Sequence, residues 1–243
     1  ATLGVEGLEF YFDFLDLKDP AGWGEYRRRV EDRGMTIPML CASPDFTHPD
    51  ETFRREQIEK QRGCIDMTAE LGGQFCRVLS GQRRPEVSRE DGLRYAADSI
   101  RACIPHAQDR GVTLTIENHY KDNYWTYPEF AQQMDVFCEL VEMIDSPSVR
   151  LHLDVKAMSA EEKPIPDIIR DCAQHLEHFH ANDANRRGPG MGEIDFIPIL
   201  ETLKDVNYDG WVSVEVFDYE PGVEALARES IEYLQTCLAD LAK

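Results

Sequence analysis

Val112-Thr-Leu-Thr-Ile-Glu-Asn118 is a short run of β-branched and apolar residues that turns acidic and polar only at its last two positions. Its length suits a strand, and its nearly continuous apolar character suits one covered on both faces. Six other runs share that character, at residues 7–12, 35–42, 74–79, 149–155, 176–181 and 210–217. Their starts lie 27 to 39 residues apart, the spacing of successive βα units. The stretches between them are charged and of helical length. Residues 88–111 place Ser88 and Asp91 as N-cap and N3 and stop at Gly111. Residues 126–144 open with Thr126-x-x-Glu129, which predicts a capping box, with Pro128 in the first turn. Residues 222–241 carry Val223, Leu226, Ile231, Leu234 and Leu238 at close to helical period. Strand and helix alternating throughout predict a parallel sheet.

A chain of 243 residues fits one large α/β domain, and the pattern predicts a (β/α)8 TIM barrel over residues 1–243. Only seven strands are visible. Ala1-Thr-Leu-Gly4 reads as the tail of a helix ending at a glycine, so the first β-strand and helix of such a barrel, roughly 25–35 residues, are expected to be missing. A seven-stranded open barrel is the alternative. No linker, repeat or low-complexity tract divides the chain. Lys and Arg number 26 against 46 Asp and Glu, a formal charge of −20. That excess of acid argues against nucleic acid and anionic membrane surfaces as partners, since both require clustered cations. No apolar run approaches the roughly 18–20 residues that span a bilayer, and no export signal is visible. Seven scattered cysteines without a C-x-x-C fit a reducing cytoplasm and give no zinc knuckle.

Four successive runs end in an ionisable residue: Glu117, Asp154, His180 and Glu215. In a parallel barrel that rim carries the catalytic groups. Three carboxylates and an imidazole at one mouth form an oxygen-rich divalent site, suited to Mn²⁺, Mg²⁺ or Co²⁺ rather than to a thiolate zinc centre. Two residues earlier on each strand stand Thr115, His152, His178 and Ser213, polar where a barrel interior favours Val, Ile or Leu. Such groups are expected to hydrogen-bond the ligands and fix their orientation.

These residues, at intervals of 37, 26 and 35, resemble the sugar-phosphate isomerase/epimerase superfamily of xylose-isomerase-like TIM barrels, with ketose 3-epimerases and hydroxypyruvate isomerase-type enzymes nearest by motif. The resemblance spans nearly the whole chain. It includes Glu117-Asn-His119, His180-x-x-Asp183, Arg186, the loop Pro189-Gly-x-Gly-Glu-Ile-Asp-Phe196 and Gly210-Trp-Val-Ser-Val-Glu215. It implies one divalent cation, Mn²⁺ foremost, held by Glu117, Asp154, His180 and Glu215, and a keto-sugar or related polyol as substrate. It further implies that Glu117 and Glu215 act as acid and base around an enediolate, giving epimerisation or aldose–ketose isomerisation. His119 and Arg186 are implied contacts to substrate oxygens, and dimers or tetramers are implied as the assembly.

The chain also departs from that pattern. Three residues after the ligand Asp, where epimerases commonly carry a substrate-touching His, stands Ala157. Lys156 either reaches substrate or is an exposed rim lysine. Glycines that often follow Glu-Asn-His are replaced by Tyr120-Lys-Asp-Asn-Tyr-Trp125, and Trp125 is expected to stack on a sugar face or an aromatic aglycone. Glu9, ending the first visible strand, adds a pocket contact or lies on the surface. Gly188-x-Gly190-x-Gly192 either cradles phosphate or makes a tight turn before an Asp195 helix cap. The departures keep open a metal-dependent sugar lyase, by dehydration or glycoside β-elimination. Two further readings are an abasic-site nuclease, which the acidic charge disfavours, and a non-catalytic binding subunit.

Overall fold

A computed structural model describes residues 2–121 and 123–242. The chain forms two compact units, residues 1–150 and 151–243.

In the first unit the elements run β1 (Phe10–Tyr11), α1 (Pro20–Glu31), β2 (Met39–Cys41), α2 (Glu51–Glu70), β3 (Phe75–Val78), α3 (Arg89–Arg110), β4 (Thr113–Glu117) and α4 (Met134–Ile144). All strand neighbours are parallel, β1 to β2, β2 to β3 and β3 to β4. Helix starts follow the local chemistry. Asp19, Asp50 and Ser88 each accept a first-turn N–H, from Gly22, Thr52 and Asp91, donors a helix cannot satisfy itself. Gly111, at φ 67°, closes α3 in the left-handed conformation that glycine takes without strain. Helix α3 buries Leu93, Ala96, Ala97, Ile100, Cys103 and Ala107, spaced three and four apart as one face of a helix must be.

The helix predicted over 126–144 is shorter than its sequence signal: α4 begins at Met134. The Glu129 carboxylate accepts the Ser80 backbone N–H at 2.8 Å and the Ser80 hydroxyl, while the N–H of Thr126 goes to Gln82 Oε1 at 2.8 Å. A partner 49 residues away thus takes the carboxylate that a capping box would have used. Of the four residues read as a helix tail, Ala1 lies outside the described residues; Thr2 and Leu3 form a turn and Gly4 has φ 71°.

In the second unit β5 (Val149–Asp154, its first two residues shared with the first unit), α5 (Val155–Met158), α6 (Ile165–Cys172), β6 (Leu176–Ala181), α7 (Ile197–Asp205), β7 (Trp211–Val214) and α8 (Val223–Leu241) follow in order. Strand β6 pairs in parallel with β5 and with β7. The seven strands among the described residues are the seven that the sequence predicts. Leu153 and Phe179 are fully buried on one face of β5 and β6, and His152, Asp154, His178 and His180 are buried on the other. A period of two carries both the apolar and the polar sets. The Gly188–Gly192 loop resolves in favour of the tight turn. A Cβ on Gly192 would stand 2.0 Å from the Asp183 carboxylate, which accepts the N–H groups of Glu193 and Ile194. An anion of the chain itself already occupies those donors. Asp195 lies one residue outside the cap position and still takes the Ile197 N–H at 3.0 Å.

Candidate metal centre and substrate pocket

In the second unit Asp154 ends β5, His180 lies near the end of β6, and Glu215 follows β7 directly. Asp154 and His180 are buried and the Glu215 side chain is one-fifth exposed. Each offers a donor atom within 4.8 Å of the other two, and His180 Nδ1 lies 3.2 Å from Glu215 Oε2. Donor atoms at roughly 2.0–2.6 Å from a common cation stand about this far apart, so the two carboxylates and the imidazole fit a divalent ion. Asp154 is held by its surroundings. Its Oδ1 accepts the Ala157 N–H at 2.7 Å, and its Oδ2 accepts from Asn182 Nδ2 at 2.5 Å. Asn182 Oδ1 in turn takes the Lys156 N–H at 2.8 Å. Beneath the donors the rings of His152 and His180 meet edge to face at 4.0 Å, and His178 Nε2 lies 3.4 Å from the Ser213 hydroxyl. Of the four polar residues predicted under the ligands, His152, His178 and Ser213 lie together in the second unit, while Thr115 is buried on β4 of the first, its hydroxyl 3.5 Å from Met39 Sδ.

Lys156 is half-buried on α5, and the bond to Asn182 uses its backbone rather than its ammonium. Arg186 has an exposed side chain, with φ 71° and a carbonyl that accepts from Phe217 and Asp218 at 2.9 and 3.0 Å. Its visible contribution is to the turn. The neighbouring Arg187 pairs with Asp218, and that guanidinium holds the Asp218 carboxyl below the usual range.

In the first unit Glu117 ends β4 and is fully buried. Sequence reasoning missed its partner. Arg77 on β3 donates from Nη1 to Glu117 Oε2 at 2.7 Å, from Nη2 to Ser43 Oγ at 3.1 Å, and from Nε to the Ala42 carbonyl at 3.1 Å. Parallel register sets Arg77 opposite Thr115, on the face that also carries Glu117. The available signal was an arginine inside the apolar run Phe75-Cys-Arg-Val78, because a cation in a buried strand requires a carboxylate. His119 is buried and its ring meets Trp125 edge to face at 6.5 Å. Glu9 is half-buried, with Oε2 3.8 Å from Cys41 Sγ. Trp125 lines a cleft of about 320 Å³ with Tyr11, Ser43, Phe53 and Lys60.

Among the described residues no helix is long and apolar enough to cross a membrane. A family model described as a xylose isomerase-like TIM barrel matches residues 1–237. The D-psicose 3-epimerase of Ruminiclostridium cellulolyticum is 37% identical over 89% of this chain and 75% of its own length. The 3-dehydro-D-guloside 4-epimerase of Escherichia coli is 25% identical over 88% of this chain and 84% of its own. A solved L-ribulose 3-epimerase superposes with a TM-score of 0.86 at 22% identity, covering 98% of this chain and 86% of that one. That likeness shows the barrel fold.

Proposed function

Because the chain belongs to the xylose isomerase-like TIM-barrel family, we propose that it is a divalent-metal-dependent epimerase or isomerase of a keto-sugar or related polyol. The observation that carries this reading is the set of Asp154, His180 and Glu215, whose donor atoms lie within 4.8 Å of one another at strand ends. Glu117, the carboxylate at the corresponding end of β4, is proposed as the fourth ligand. The names of the two curated relatives support a sugar as substrate; one is named for a free ketose and the other for a dehydro-guloside.

A bound cation would supply polarisation of the substrate carbonyl, and Mn²⁺ suits a site of carboxylates and one imidazole. Glu117 and Glu215 each then serve a proton as well as the ion. One removes the proton beside the carbonyl, and the other returns it to the opposite face of the same carbon or to the neighbouring carbon. His180 is held beside Glu215 and Asp154 is fixed by Asn182, so the donors require little rearrangement to receive the ion. His119 and Trp125 are proposed to face the sugar, with Lys156, Glu9 and Arg186 contributing at the rim. The residue span matched by the family model supports reading the chain as one barrel domain.

The test is incorporation of solvent deuterium across a panel of keto-sugars, before and after exhaustive chelation. Exchange at one carbon without change of composition, abolished by chelation and restored by Mn²⁺, is expected. Full exchange in metal-free protein would overturn the proposal, and loss of water or an aglycone would replace it with the lyase.

A further inference from the structure

The cleft in the first unit contains none of the proposed ligands, and its walls differ from those of a site for a small open-chain sugar. One wall is a single stripe of α2, since Phe53, Gln57 and Lys60 follow at intervals of four and three. Facing it are Trp125 and the pair Tyr11–Tyr124, whose rings stack with centroids 6.4 Å apart at 20°. Two links connect the cleft to Glu117. Ser43 at its edge bonds Arg77, which bonds Glu117, and Trp125 meets His119, two residues beyond Glu117. A ligand in the cleft is therefore two side chains, Ser43 and Arg77, removed from a proposed catalytic carboxylate.

The polar groups of the cleft are mostly donors still to be satisfied. Gln57 Oε1 accepts the Asp45 N–H at 3.2 Å, which leaves the amide NH₂ of Gln57 for a ligand. The Lys60 ammonium lies 4.1 Å from the centre of the Phe12 ring, with no hydrogen bond or ion pair among the described residues. The Ser43 hydroxyl accepts from Arg77 and keeps its own proton to donate. The carboxylate of Asp45 is already paired with Arg84 at 2.6 Å and bonded by Gln82. With Asp45 already paired, Lys60 and the exposed Asp13 are the charged residues of the lining left without such a pair among the described residues. One cation and one anion favour a neutral occupant over a phosphate or carboxylate. Flat aromatic walls with donors at the edge suit the face of a ring bearing oxygen acceptors. A volume of about 320 Å³ stands at the small end of ligand pockets, room for one substituted ring.

We propose that this cleft holds the ring-bearing substituent of a glycoside, so that the substrate is a keto-glycoside rather than a free ketose. The inference rests on the reading of Glu117 as a substrate-facing carboxylate. It has a chemical corollary. A sugar whose anomeric carbon carries a second ring is locked as an acetal, so its carbonyl must lie at a ring carbon that bore a secondary hydroxyl. The reaction supplying this substrate must then be a two-electron oxidation of that hydroxyl, its hydride passing to a nicotinamide-type acceptor and its proton to solvent.

The first measurement is calorimetric titration of the chelated 243-residue chain with phenyl β-D-glucopyranoside and with glucose, which separates the cleft from the metal. The phenyl glycoside should bind at least tenfold more tightly than glucose. Lys60→Ala and Gln57→Ala should each erase most of that difference, and Lys60→Arg should retain it. Equal binding of the two ligands, or a preference untouched by both alanine variants, would overturn the proposal. The second measurement compares deuterium exchange on keto-sugars with and without a phenyl glycoside. The glycoside should have the higher kcat/KM, and Lys60→Ala should lower it severalfold while exchange on the free keto-sugar is unchanged. Equal kcat/KM values would also overturn it. Tight, cleft-dependent binding with no exchange on any keto-sugar would instead remove the epimerase reading and leave the glycoside cleft standing.

Discussion

Replacing Arg77 by Met keeps the length and apolar stem of the side chain and removes its charge. The Arg77–Glu117 pair is sealed, with side chains 2% and 0% exposed, at 2.7 Å. Removing one partner of such a pair costs about 3–5 kcal/mol, because the other charge stays buried without compensation. The bonds from Arg77 to Ala42 and Ser43 vanish too, and the Ala42 carbonyl belongs to a residue 1% exposed. Domains typically have about 5–15 kcal/mol of stability in total, so the variant should fold yet lose a large part of its margin. For a chain of this size each kcal/mol moves Tm by about 2–4 °C, which gives a fall of roughly 6–20 °C. The assay is urea and thermal unfolding of the chelated protein. Adding Glu117→Gln to Arg77→Met should recover most of the loss, since the stranded charge is then gone. Lys at position 77 should fall between, retaining charge but not the three-way geometry of the guanidinium. If Arg77→Met unfolds within about 0.5 kcal/mol of the parent chain, a change of ordinary surface size, or if the double variant is no more stable than the single one, Glu117 does not depend on Arg77.

Asn182→Ala should release Asp154 and weaken Mn²⁺ affinity by about 10–100-fold, the usual cost of losing a group that orients a ligand; titration of metal into chelated protein measures it, and unchanged affinity would remove Asn182 from that role. Glu117→Gln and Glu215→Gln should each abolish deuterium exchange, with metal partly retained in at least one of them by elemental analysis; wild-type exchange in either would refute the two-carboxylate mechanism. Burial pushes the Glu129 carboxyl well above the usual range, only partly offset by the bonds from Ser80. The folded state therefore holds this proton to higher pH than the unfolded chain, and its contribution to stability is present at low pH and declines as pH rises through the folded pKa. The slope is at most about 1.4 kcal/mol per pH unit for one proton. Glu129→Gln should gain stability relative to the parent between pH 5 and pH 8 in denaturant melts, and parallel profiles would show that Glu129 is ionised throughout.

The strands were legible because each is a short, nearly continuous apolar run between charged stretches of helical length, and four successive runs carry an ionisable residue at the end. Asp154, His180 and Glu215 were legible for the same reason. Arg77 was overlooked because it stands mid-strand, where a charged residue resembles an edge position, and its partner lies 40 residues away. Glu129 was misread for the opposite reason. The local rule for a capping box was satisfied in sequence, but Ser80 competed for the carboxylate and won. Local patterns are reliable where the backbone alone decides, and they lose force where a buried polar group can choose among distant partners. The cleft was half visible: Trp125 stood out as an aromatic, but its opposite wall required α2 to present Phe53, Gln57 and Lys60 toward it.

The same reasoning explains why polar residues persist on the buried faces of β5, β6 and β7. An imidazole taken from water costs free energy unless its ring atoms meet complementary partners, so a histidine on an apolar strand is maintained only if its neighbours are polar too. His152, His178 and His180 meet one another edge to face, with centroids 4.0 to 5.4 Å apart, and Ser213 stands beside His178. This arrangement limits rotation of the His180 ring from below, while Glu215 constrains it from the side at 3.2 Å. A donor fixed on two sides loses little conformational freedom when an ion arrives, and a freely rotating one would lose more. The buried layer thus transfers part of the ordering cost of binding to folding. Replacing that layer with Leu or Val would favour the fold and penalise the site, which gives a physical reason for three consecutive strands to carry polar residues where packing alone would not place them.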